Sequence, residues 1–364
     1  MALDRAFKFG AGRYIQQPDA LSIAGEEIAA FGKKIWLVGG PTALSLTQEK
    51  LEVSLKKAGL EYEFCEYGGY NTMEKCEEFG TYCRENHFDV VVGVGGGKIM
   101  DLCKGVAHQA GLPVVTIPTQ AATCAAYTPM SVLYRENGAA FGTVGGNYYH
   151  LYEVSLLIID ETIMIHQPPR YVASGMLDVM AKFIEIQNGH PDIQFNTFNV
   201  ELYTAYVLAK YIYGVLESTA LKVYSDVENH ILSKEVHDFL FINFAVTGMI
   251  SGISKALGQT ALAHEMYYVV RMNYTQEAKE FLHGEIVGAC LIMQLVYNRQ
   301  ADQVPAFKKF MRTMHMPTTL HEMGIPETEE NKQQIYNYLK DTIFVEDTPE
   351  NKQALWNSVL AICE

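Results

Sequence analysis

The stretch Asp89-Val-Val-Val-Gly93-Val-Gly95-Gly96-Gly97-Lys98-Ile-Met-Asp101 decides the fold. It begins as an unbroken β-branched run, the pattern of a strand covered on both faces, and passes without a polar spacer into glycines and then into a helix-forming segment. Glycines at such a junction let the backbone approach a polyphosphate, and the free N–H groups of the following helix meet it with partial positive charge. Lys98 adds a full charge. The same glycines also suit a tight turn in which strand and helix pack closely, and spacing alone leaves both readings open. Two familiar phosphate patterns do not fit. A P-loop needs glycine at position 92 and Ser or Thr at 99, where the chain has Val92 and Ile99; a dinucleotide fingerprint needs glycine at 98, where it has Lys98.

Outward from this junction, short apolar runs recur at Ile35–Val38, Tyr62–Glu66, Val114–Ile117 and Leu156–Ile159. Helical patterns lie between them, at Pro41–Ala58 and Met73–Asn86. Strands alternating with helices of this length predict βαβ units on a parallel sheet. Near residue 165, after which comes Gln167-Pro168-Pro169, the texture changes to long apolar-periodic segments such as Asn199–Leu221, Lys234–Leu257 and Glu285–Tyr297. The expected architecture is an α/β, Rossmann-like domain over 1–165, with a parallel sheet, followed by an all-helical domain over 166–364.

Composition narrows the function classes. The 364 residues carry 28 Lys plus Arg against 42 Asp plus Glu, a net charge of −14. No basic block interrupts this, which argues against nucleic acid or an anionic membrane as partner, since both call for a positive surface. A hydrophobic share of 49% with only 19% charged residues supports large cores and little surface per residue, so a homo-oligomer is expected. The seven cysteines show no C-x-x-C pair, which fits reduced thiols in a cytoplasmic protein. The first residues lack a leader-like apolar core, and no uncharged apolar run reaches the ~18 residues of a bilayer span.

The helical half holds possible metal ligands: Asp178 in Ser174-Gly-Met-Leu-Asp178, His264 in Leu262-Ala-His264-Glu265, and His283 in Phe281-Leu-His283-Gly-Glu285. One carboxylate and two imidazoles suit a divalent zinc or iron ion with a position left open for a substrate oxygen. The chain has 11 histidines, and any of them also reads as an ordinary core or surface residue. His264-Glu265-Met-Tyr-Tyr268 lacks the second histidine of the zincin motif.

Several ungapped segments, in order, carry a resemblance. Gly95-Gly96-Gly97-Lys98-Ile-Met-Asp101-Leu-Cys-Lys104, Ile117-Pro118-Thr119, Ser131-Val132-Leu133-Tyr134, Ala173-Ser174-Gly175 and His283-Gly284-Glu285 resemble the group III metal-dependent, iron-containing alcohol dehydrogenases, in their glycerol dehydrogenase branch. The resemblance implies the dehydroquinate-synthase-like fold, with a nicotinamide cofactor and a divalent metal in the cleft between the two domains. It places Asp178, His264 and His283 on the metal ligands, Gly95, Gly96, Gly97 and Lys98 on the pyrophosphate loop, and Thr119, Thr128, Met130 and Tyr134 on further cofactor contacts. Asp101 and Lys104 are expected to shape the helix after the glycines.

Departures from that pattern bear on substrate. Lys182 stands where many members of the family have a histidine one helical turn after the metal aspartate; it either steadies an anionic substrate or carries its ammonium out to solvent. Cys124 replaces an aspartate that glycerol dehydrogenases place near the polyol. The run Ala121–Ser131 and His315-Met-Pro317 look closer to a hydroxycarboxylate dehydrogenase branch acting on a 2-hydroxy acid/2-oxo acid pair. Gly40 occupies the place of an acidic residue that would repel the 2′-phosphate of NADP, which favours NADP while leaving NAD open. The expected activity is a metal-dependent oxidoreductase transferring hydride between NAD(P) and a small alcohol or carbonyl, with glycerol/dihydroxyacetone or a cyclase-type lyase of the same fold as alternatives.

Overall fold

A computed structural model describes residues 6–141, 146–190, 193–255 and 257–363. Six strands form one wholly parallel sheet: β1 (Arg13–Gln17), β2 (Lys34–Gly39), β3 (Glu61–Glu66), β4 (Val90–Gly95), β5 (Val114–Pro118) and β8 (Leu156–Asp160), in the order β1-β8-β5-β4-β2-β3. The five strands expected from apolar runs are all present. Side chains alternate across the sheet, so its strands feed two cores. Ile35, Leu37, Val90, Val92 and Val94 face the helix α1 (Pro41–Lys57), while Trp36, Val38 and Val91 face α2 (Met73–Glu85) and α3 (Gly97–Ala110). The second of these cores runs on into the helices that follow.

Two elements escape the sequence reading. β1 is the edge strand Arg-Tyr-Ile-Gln-Gln, with no fully buried residue and one neighbour, so it carries little hydrophobic signal. The hairpin of β6 (Met130–Val132) and β7 (Asn147–Tyr149) has three residues to a strand, too few to show a period.

After β8 the described elements are helical. α4 (Pro169–Gln187) is buried along nearly its whole length and packs against α5 (Val200–Glu228) and α8 (His283–Tyr297). α6 (Lys234–Ile253) contains a π-helical turn at Ile242–Val246; residue 256, inside the expected helical stretch, lies outside the described residues. By length and composition α6 is apolar enough to cross a membrane, but it begins with Lys234, Glu235 and Asp238, and 67% of its apolar window is buried within the fold. α7 (Leu262–Asn273) completes the set that carries the site.

Candidate active site

The strand order reverses between β2 and β4, and the residues just past their carboxyl ends, Gly40 and Gly96, open into one cleft of about 690 Å³. Such a switch point is where parallel α/β sheets bind ligands. The glycines divide the labour that their spacing left open. A Cβ on Gly93 would sit 2.3 Å from the Cys103 sulfur, so this glycine serves close strand–helix packing. Gly95 has φ +150°, a backbone conformation that side-chain-bearing residues rarely adopt. Gly97 begins α3 and faces the cleft, with only Thr123 and Ala125 near the place of its absent Cβ.

Lys98 also faces the cleft, its ammonium 4.2 Å from the Tyr70 ring centre. Burial, and then the nearby Arg271 guanidinium, draw its pKa below the usual lysine range. Arg271 donates to the carbonyls of Ala278 (2.7 Å) and Phe281 (2.5 Å). Among the described residues neither cation has a carboxylate in ion-pair contact, so two positive groups stand ready for an anion. Thr128, Met130 and Tyr134 line the same cleft. Gly95 and Thr119 meet each other behind it, the Thr119 N–H donating to the Gly95 carbonyl at 3.0 Å.

Lys104 explains how the Thr128–Met130 segment is held. Its buried ammonium pairs with Asp101 at 2.8 Å and donates to the carbonyls of Ala125 (2.7 Å), Thr128 (3.0 Å) and Met130. A buried charge persists only when satisfied in this way, and the result ties the loop to the helix behind the glycines.

Asp178, His264 and His283 come from α4, α7 and the first turn of α8, and the structure gathers them in the same cleft. Their ligand atoms all lie within 4.8 Å of one another. Both imidazole Nε2 atoms are 3.7 Å from Asp178 Oδ1. Donors about 2.1 Å from a tetrahedral ion lie about 3.4 Å apart, so the set fits a divalent metal with small adjustments. Two glycines permit this convergence. A Cβ on Gly284 would fall 1.9 Å from the Ser174 carbonyl, and one on Gly175 would fall 2.0 Å from the Ala121 carbonyl. α8 and the loop after β5 therefore close directly onto α4, one turn from Asp178. Glu285 fixes the start of α8, accepting from the Leu282 N–H (2.7 Å) and from Arg170 (2.6 Å to each oxygen).

Charge around the three is set by burial and opposed by partners. Burial alone would raise the Asp178 carboxyl, but the Lys182 ammonium and hydrogen bonds from His264 and His283 hold it well below the carboxylate range. Lys182 Nζ lies 2.9 Å from Asp178 Oδ1 and is buried, which corrects the alternative in which its ammonium reaches solvent. Its pKa is raised: burial acts against the charge, and Asp178, ahead of Cys124 and Glu185, outweighs it. Cys124 lines the cleft as a neutral thiol, its pKa pushed up to about 12 by burial and then by Asp178.

Glu185 is a residue that the sequence reading missed. It is buried on α4 two turns after Asp178, accepts the Ala261 (2.7 Å) and His264 (2.9 Å) backbone N–H groups, and hydrogen-bonds His264 Nδ1. A carboxylate on Nδ1 leaves Nε2 free to face Asp178. No spacing signal marks it, because its partners come from a loop some 76 residues later.

A family profile described as iron-containing alcohol dehydrogenase matches residues 11–150. Hydroxycarboxylate dehydrogenase A of Escherichia coli (strain K12) is 27% identical over 295 residues, covering 80% of this chain and 78% of that one. The chain is similar to iron-containing alcohol dehydrogenases over these residues. Another relative, the glycerol dehydrogenase of Thermotoga maritima, is 27% identical over 318 residues, covering 86% of this chain and 84% of its own. In fold, the crystal structure of a probable glycerol dehydrogenase from Sinorhizobium meliloti 1021 superposes with a TM-score of 0.81 at 22% identity, covering 99% of this chain and 98% of that one.

Proposed function

We propose that this iron-containing alcohol dehydrogenase relative is a metal-dependent oxidoreductase that moves hydride between a nicotinamide cofactor and a small alcohol or carbonyl. The observation that carries the reading is the convergence of Asp178, His264 and His283 in the cleft that the glycine turn and Lys98 also line. Residues 1–165 would hold the cofactor and 166–364 the metal. The seven unbridged cysteines support a reducing, cytoplasmic setting.

Asp178, His264 and His283 would hold the divalent ion, zinc or iron, which when bound supplies Lewis acidity toward a substrate oxygen beside the nicotinamide. The chain's part is positioning. Glu185 fixes the His264 ring, and Tyr267 packs edge-on against His283 with ring centres 4.3 Å apart. The glycine-turn amides and Lys98 bind the cofactor's phosphates locally, against the overall −14 charge. Gly40 and Thr42 line the cleft at the end of β2 without an acidic group, which supports NADP ahead of NAD.

For substrate, a 2-hydroxy acid/2-oxo acid pair is favoured over glycerol/dihydroxyacetone. Cys124 offers a neutral thiol where a polyol would want a charged acceptor, and Lys182 adds positive charge beside Asp178. The test is NAD(P)H oxidation by zinc- and iron-loaded protein across 2-oxo acids, dihydroxyacetone and simple aldehydes. Preference for 2-oxo acids is expected; preference for dihydroxyacetone with NADH would establish the glycerol dehydrogenase reading instead. Product release without net cofactor turnover would indicate a lyase.

A further inference from the structure

Helix α5, 29 residues long, packs one face into the protein through Ala205, Ala209, Ile212, Leu216, Ala220 and Val223. The opposite face carries Val200, Thr204, Val207, Tyr211, Gly214, Ser218, Leu221 and Ser225, all exposed, spaced alternately by four and three residues. That is the spacing of the seam of a coiled coil. Its large members are bare to solvent: Val200 is 79% exposed, Tyr211 67%, Val207 47% and Leu221 44%. A surface helix of a monomer places charge on this stripe rather than an apolar seam. At its middle Gly214 has no atom of the chain within 4 Å of where a Cβ would stand, so this glycine, which weakens a helix, serves nothing inside the chain.

We propose that this face joins two copies of the chain, their α5 helices antiparallel about a two-fold axis passing between Tyr213 and Gly214. Charge identifies the occupant. Lys210 and Glu217 flank the seam at the same heptad position, and among the described residues neither has an ion-pair partner. Antiparallel pairing about that axis sets Lys210 beside the partner's Glu217 and repeats the contact by symmetry. Parallel pairing would instead bring Glu217 toward the partner's Lys222, but Lys222 is already held by Asp226 (2.6 Å) and Glu235 (3.6 Å). In the antiparallel arrangement Val207 comes near the partner's Leu221, and Tyr211 lies over the partner's Gly214, where the missing side chain leaves room. Beyond the helix ends Phe195, 74% exposed, approaches the partner's Ile231, 50% exposed. The surface is self-complementary along its length, which an unrelated partner has no reason to match.

Light scattering on the full chain across a concentration series tests this, with cysteine cross-linking as a second arm. The expected mass is twice the 40.8 kDa chain. Lys210→Glu should raise the dimer dissociation constant by about tenfold or more, because both symmetric contacts become repulsive, and adding Glu217→Lys should restore it. Both sites are exposed, so the fold tolerates the exchange. Gly214→Cys should cross-link under mild oxidation through Cys-containing peptides spanning position 214 from both copies. A monomer at tens of micromolar overturns the proposal. So does a dimer that ignores Lys210→Glu, a double exchange that fails to rescue, or an oxidised dimer without the 214–214 link.

Discussion

The glycine turn and the proposed metal triad share one cleft but are built in opposite ways. The turn is continuous: Val90 to Asp101 supplies strand, glycines, Lys98 and helix start in a single pass of chain. The triad is assembled from three helices, with Asp178 and His283 105 positions apart in the chain, and it exists only because Gly175 and Gly284 let backbones touch. A continuous motif fails locally when altered; an assembled one fails through whatever holds its pieces together. The sharpest test is His283→Ala. It should remove bound metal and lower kcat/KM by about a thousandfold or more, with the cofactor still bound. Metal analysis together with turnover decides it, and stoichiometric metal with full activity would remove His283 from the ligand set.

The supports of the triad come next in size. Glu185→Gln keeps the volume of the side chain but replaces the carboxylate on His264 Nδ1 by an amide. Metal affinity is expected to fall by about 10- to 100-fold, with the fold intact. The spectrum of the cobalt-substituted protein should shift, since the His264 ring is no longer fixed in orientation and tautomer. An unchanged affinity and spectrum would mean that Glu185 serves only the Ala261 turn.

Lys98→Met tests the other side of the comparison. It removes one charge from a cleft where Lys98 and Arg271 repel each other. The KM for the cofactor should rise about tenfold, while metal content and the KM for substrate hold. Were metal lost as well, the cofactor loop and the triad would be one coupled unit rather than two.

This contrast also explains what could be read in advance. β2, β4, β5 and β8 are buried on both faces, so each is an apolar run that needs no tertiary knowledge to see. Asp178, His264 and His283 stand out as residue types within recognisable segments, yet nothing in their spacing says that their donor atoms meet. Glu185 and Arg271 had no signal at all. Each acts on groups supplied by other turns of the fold, Glu185 on the Ala261–His264 backbone and Arg271 on the carbonyls of Ala278 and Phe281. Lys182 fits either orientation by spacing alone, because the burial that holds its ammonium against Asp178, one helical turn away, is set by tertiary packing that sequence does not show.

The smallest expected effect lies at the far end of the strand that carries the glycine turn. Asp89 accepts the backbone N–H groups of Lys33 (2.8 Å) and Lys34 (2.9 Å), tying the start of β4 to the start of β2. These two hydrogen bonds lower its carboxyl below the usual aspartate range. A carboxyl depressed in the folded state stabilises the protein above the unfolded pKa, near 3.9, and that contribution is lost as pH falls through the folded value. The group is exposed, so screening keeps the effect small. Asp89→Ala should cost about 0.5 kcal/mol at pH 7, read as a lower urea midpoint, and the two midpoints should converge as the pH is taken below 4. Cofactor and metal binding should not move, because the strand's amino end is remote from the cleft at its carboxyl end. A changed cofactor KM would show that strain at one end of β4 reaches the glycines at the other, and that the continuous motif is less self-contained than its sequence suggests.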